Sequence, residues 1–251
     1  MTEPFLLFDG QPISLSEALN YLQTAGKLQE FVVEVLRQYI IEKEIERRED
    51  LPVGSEIVEQ AVIDFRIANQ LTDPENFKQW LTEQGLDHTS FHRRVGANFK
   101  VEALRTKIAE ARLSEYFIER KLFLDKIVLS RIVVETRELA EELLCQIEEG
   151  ASFENLAQEY SIADDRIFKG MMGLVSRGSM PDKLRAEVDK IGEGELVGPL
   201  EFEEKWAIFR IEKLQFASLE DKQIKQSLEN ELFEQWIGEK LRTTPIKLQV
   251  S

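Results

Sequence analysis

The 251-residue chain predicts an α+β protein: a discontinuous helical domain with a smaller sheet-containing domain inserted into it. Three observations lead there. Apolar residues recur at helical spacing over the first half and again near the end. Between about residues 127 and 214 the pattern switches to β-branched runs punctuated by glycine. The chain also opens and closes on short apolar stretches, PFLLF and PIKLQV, that read as strands with no other partner, so the two are expected to pair.

Each element has a local reason. Ser14 and Glu17 form a capping-box pattern that opens a helix through Ala25. Leu28, Phe31, Val32, Val35, Leu36, Tyr39 and Ile40 continue the period toward Arg48. Ile57, Val58, Ala61, Val62, Phe65 and Ala68 mark a third helix. Asp73-Pro74 supplies a cap and a first-turn proline for a fourth, which Gly85 ends. Asp87 caps the longest helix, with a break expected near Ser114 and an end near Leu122.

DKIVLSRIVVE then reads as a strand. Helices are expected over about 137–148 and 153–159, followed by a polar loop, SIADDR. A strand around Gly173, a short helix from Pro181, and two strands in GPLEFEEKWAIFRIEKL complete the order β-α-α-β-α-β-β. From Ser218 and Asp221 an amphipathic helix carries Ile224, Leu228, Leu232, Phe233, Trp236 and Ile237 on one face. The expected division is 1–126, 127–214 and 215–251, the last segment returning to the first.

Composition excludes several classes of function. A formal net charge of −15 argues against nucleic acid, whose phosphates need a basic footprint. No apolar run reaches the ~20 residues of a membrane helix, and MTEPFLLFDGQPIS has no basic leader pattern, so cytoplasmic residence is expected. Cys145 is the single cysteine and sits beside Leu143, Leu144 and Ile147, where a buried structural thiol is expected. His88 and His92 are the only histidines; spaced four apart without a third ligand, they predict a solvated helix face and no metal site. No cofactor motif is present.

Four pieces between residues 130 and 213 match one family in order. They are SRIVVE, ASFENLAQEYS, GMMGLVSRGSM and GEGELVGPLEFEEKWAIFRIEK, together about a third of the chain. This segment resembles the parvulin-type peptidyl-prolyl cis-trans isomerases. The flanking segments DGQPIS and LTDPENFKQWLTEQGLDHTSF, with the helix from Ser218 to Leu241, resemble the helical chaperone domain of SurA-type foldases.

The resemblance implies a proline-binding socket and clients that are unfolded or proline-containing polypeptides; oligomeric state is left open. Met172, Val175, Met180 and Leu184 are implied as socket residues, with Phe202 and Ala207 at matching positions on the closing hairpin. The family's polar cluster is absent. Arg131 stands where the first-strand histidine is expected, Ala207 where the last-strand histidine is, and Ala163 where a Cys or Asp is. Arg131 and the neighbouring Asp164 are the implied catalytic substitutes. The expectation is therefore a foldase or chaperone that binds extended polypeptide with weak or lost isomerase activity. An active isomerase and an escort dedicated to one peptide or subunit are the alternatives.

Overall fold

A computed structural model describes residues 4–48, 50–51 and 54–247. The chain divides into two compact units. One draws on both ends of the sequence, up to Leu113 and from Ser227 onward, and the other spans Ser114–Gln226.

The first unit opens with a hairpin of β1 (Leu6–Phe8) and β2 (Gln11–Ile13), antiparallel with Leu6 opposite Ile13. The strand expected to pair with PIKLQV thus has a neighbour close in sequence. Asp9 and Gly10 both adopt positive φ, 48° and 74°, the backbone that a two-residue hairpin turn demands and that Asp-Gly favours. Residues 245–247 are not in a strand, and the rest of the tail lies outside the described residues.

Helices α1 (Leu15–Thr24), α2 (Leu28–Arg47), α3 (Ser55–Ala68), α4 (Pro74–Glu83) and α5 (His88–Glu110) follow. The capping box at Ser14 and Glu17 is present, Asp73 accepts from the backbone N–H groups of Glu75 and Asn76, and Asp87 accepts from that of Ser90. The break falls at Ala111 and Arg112, before α6 (Leu113–Leu124). Val62, Phe77, Leu81 and Phe91 join α3, α4 and α5 in one apolar cluster. Ile41, Leu104, Phe233 and Ile237 join α2, α5 and the returning α10 (Lys222–Thr243) in another. His88 packs edge-on against Phe77, and His92 Nδ1 lies 3.4 Å from Glu59. Among the described residues no helix is long and apolar enough to cross a membrane.

The second unit contains β3 (Lys126–Val134), α7 (Arg137–Glu148), α8 (Phe153–Tyr160), β4 (Met171–Ser176), α9 (Asp182–Val188), β5 (Leu196–Phe202) and β6 (Lys205–Gln215). Part of the polar loop SIADDR is regular: Asp164–Phe168 forms a 3-10 helix. The strands make one antiparallel sheet in the order β4-β3-β6-β5. Alternation along β3 and β6 sends Ile132, Val134 and Ile208 to one face, against Ala140, Leu143, Phe153 and Ala157 of α7 and α8. Leu129, Phe209 and Ile211 face the other way, toward Leu184 and Val188 of α9. Cys145 is exposed, contrary to expectation, because α7 turns Ala140 and Leu143 inward and leaves the cysteine on its outer side.

Candidate functional site

A groove of about 400 Å³ opens on the α9 face of the sheet. Its floor comes from adjacent strands: Val133 lies opposite Ala207 across the β3–β6 pair, and Arg131 lies opposite Phe209. Met172 from β4, Leu184 and Pro181 from the α9 segment, and Phe202 from the end of β5 supply the walls. Phe202 meets Phe209 edge-on, with ring centroids 6.0 Å apart, which fixes one wall against the floor. Glu203 and Lys205 stand at the turn joining β5 to β6.

Of the residues marked from sequence, Arg131, Met172, Leu184, Phe202 and Ala207 come together here. Met180 and Val175 do not line the groove. Met180 is only 4% exposed and packs with Leu129 and Leu184 in the core beneath it, and Val175 packs against the same cluster opposite Ile127. Val175 faces the same side of the sheet, but its pairing with Ile127 places it further along the strands from Arg131 and Val133, away from the groove. Asp164 is exposed and is not a lining residue. The carboxylate beside Arg131 belongs to Asp165, whose Oδ2 accepts from Arg131 Nε at 2.7 Å.

The 161–170 segment is fastened to β3 at both ends, and this sets the Arg131–Asp165 geometry. At its start the buried Ser161 hydroxyl accepts from Val133 N–H at 3.1 Å and Ala163 N–H at 3.3 Å, while Ile162 N–H donates to Val133 C=O. At its end Arg131 N–H donates to Gly170 C=O at 2.8 Å, and Gly170 N–H donates to Asp165 C=O at 3.0 Å. Gly170 has φ +81°, and a Cβ there would stand 2.4 Å from the Arg131 carbonyl oxygen. Only glycine allows so close an approach with that backbone.

Comparison with known proteins fits this geometry. The PPIC-type PPIASE domain of the rotamase family matches residues 130–213, the stretch that builds every wall and floor residue of the groove. Residues 130–213 are a parvulin-type domain. The foldase protein PrsA of Bacillus subtilis (strain 168) is 24% identical over 202 residues, covering 74% of this chain and 67% of that protein. A crystal structure of the peptidylprolyl isomerase PrsA from Bacillus cereus covers 98% of this chain and 93% of its own, at 19% identity and a TM-score of 0.45. The solution structure of NmPin, the parvulin of Nitrosopumilus maritimus, covers 36% of this chain and 97% of its own at 26% identity, with a TM-score of 0.33. The chain is thus a parvulin-type domain joined to a helical domain.

Within the parvulin domain, sequence reading missed Val133, Phe209, Lys205, Asp165 and the role of Gly170. The first two were accessible, since they are two residues along from Arg131 and Ala207 on their strands and so share the face. Asp165 was not, because a polar loop gives no period from which to choose between adjacent aspartates. The groove lining carries no histidine, cysteine or tyrosine. Among the described residues no group of three or more His, Cys, Asp or Glu is placed to hold a metal ion.

Proposed function

We propose that the parvulin domain holds extended, proline-containing polypeptide in the groove and accelerates prolyl rotation only feebly. The observation that carries this reading is the lining itself: an apolar socket of Met172, Leu184, Phe202, Ala207 and Phe209, with Arg131 as the sole polar group on its floor. Rotation about an X-Pro bond faces a barrier of ~18–20 kcal/mol and breaks no bond. A protein lowers that barrier only through contacts stronger to the twisted amide than to the planar one. An apolar socket binds both forms of the ring alike, so it supplies affinity without much rate. Loss of an oriented hydrogen-bonding group commonly costs about 10²–10³-fold in such a step. Names of the relatives, a foldase and peptidylprolyl isomerases, are consistent with clients that are polypeptides.

The test is a protease-coupled isomerisation assay on a proline-containing tetrapeptide, run beside an aggregation-suppression assay with several unrelated unfolded proteins. The expected result is a rate within about tenfold of the uncatalysed background together with suppression of aggregation that weakens in Ala207→Trp, which fills the floor. Turnover several hundredfold above background would show that the domain is a working isomerase, and the reading would fail.

A further inference from the structure

We propose that Asp165 both positions and neutralises Arg131, so that the groove grips a main-chain carbonyl of an uncharged segment and disfavours acidic ones; this rests on the groove being a peptide site. Arg131 Nε is committed to Asp165 Oδ2 at 2.7 Å, but neither terminal amino group of the guanidinium has a partner among the described residues. The side chain keeps 35% of its surface exposed and lines the cavity, so these donors are available to a guest. Asp165 is held against Arg131 from both sides of its loop by the Ser161 and Gly170 contacts. Its second oxygen, Oδ1, is buried with no hydrogen-bond partner among the described residues. A carboxylate left half-satisfied in a buried place is unfavourable for stability, which points to its service to Arg131.

Charge decides what the free donors take. Arg131 and Asp165 cancel, as do Glu203 and Lys205, the other charged lining residues. The whole chain carries −15. A client carboxylate entering here finds no net cation and a molecule that repels it. A neutral carbonyl needs only a fixed donor. Without Asp165 the guanidinium would be an unneutralised fork, which suits carboxylates.

The full chain is tested by fluorescence polarisation with a labelled neutral peptide, Ala-Ala-Leu-Pro-Ala-Ala amide. Its partners are the analogue with aspartate in place of leucine and three analogues with one carbonyl near the proline made a thiocarbonyl, a poorer acceptor. The wild type is expected to bind the neutral peptide more tightly than the acidic one. Arg131→Met should weaken the neutral peptide about tenfold, the value of one hydrogen bond, and one thiocarbonyl should weaken binding to wild type but not to Arg131→Met. Asp165→Asn should reverse the order of neutral and acidic peptides and make affinity fall between about 50 and 300 mM salt. A residue with a purely structural role would not invert that order.

Wild-type affinity in Arg131→Met, no thiocarbonyl position coupled to Arg131, or the same peptide order in Asp165→Asn would each overturn the assignment. Those results, with binding still abolished by Ala207→Trp, would leave the groove reading standing. Absence of neutral-peptide binding to wild type would overturn both.

Discussion

Gly170 shows how one residue sets the chemistry of its neighbours. Its Cβ-less backbone lies over the Arg131 carbonyl, and its own C=O and N–H tie β3 to the loop that carries Asp165. Gly170→Ala would force a Cβ to within 2.4 Å of that carbonyl oxygen and 3.0 Å of Ala157 Cβ, at a φ of +81°. The expected cost is about 2–4 kcal/mol, from strained backbone and overpacking together, read as a lowered urea midpoint. The opposite case is Gly173, also at positive φ but with open space where a Cβ would go. The glycine-rich stretch therefore reads in sequence as a place where backbone bends, but which glycine bears the close approach is a matter of tertiary contact. The three methionines of that stretch divide the same way: Met172 reaches the groove, Met180 the core, and Met171 is exposed with its sulfur 3.8 Å from Ser130 Oγ.

Between elements, two polar ties hold the parvulin unit together. Asp125, at 1% side-chain exposure, accepts from Lys121 Nζ at 2.9 Å, Arg177 Nη1 at 3.0 Å and Ala217 N–H at 2.9 Å. It joins the end of α6, the 3-10 turn after β4 and the segment after β6. Asp125→Ala removes the acceptor these three donors share; because Lys121 is two-fifths exposed and Arg177 keeps Asp189, about 1–3 kcal/mol of stability should be lost, measured by chemical denaturation. The second tie is Glu154 on α8 with Arg210 on β6, 2.6 Å apart, Arg210 also lying over the Phe153 ring. The Arg210 guanidinium, with the Glu154 and Ser152 hydrogen bonds, holds the Glu154 carboxyl down at about 2 from an ordinary 4.5. A depressed carboxylate stabilises the fold above its unfolded value and loses that contribution as pH falls through the folded one. Stability should therefore decline between about pH 4.5 and 2, and Glu154→Gln should flatten that part of the urea-midpoint profile. Because Glu154 is two-fifths exposed, solvent screening keeps the effect modest.

For the molecule as a whole, the elements were legible wherever a period or a cap repeats. The capping box at Ser14, the Asp73-Pro74 start and the alternation in β3 each rest on contacts within a few residues. The expected tail pairing lies largely outside the described residues, whereas Asp9-Gly10 gives β1 a partner three residues away. The buried-cysteine expectation failed because apolar neighbours in sequence do not share one face of a helix. At the site, the apolar walls were legible through the match to the parvulin pattern. The ion pair that fixes Arg131 was not, since it depends on a loop folded over a strand 34 residues away.

The most direct test of the central idea is a methyl NMR titration of the ¹³C-methionine-labelled full chain with the neutral proline peptide. Met172 lines the groove, Met180 lies in the core and Met171 is exposed on the outer strand. A bound guest should shift the Met172 methyl saturably, with smaller change at Met180 and none at Met171. A Met172 signal that stays fixed at saturating peptide, or a shift confined to Met171, would contradict the account.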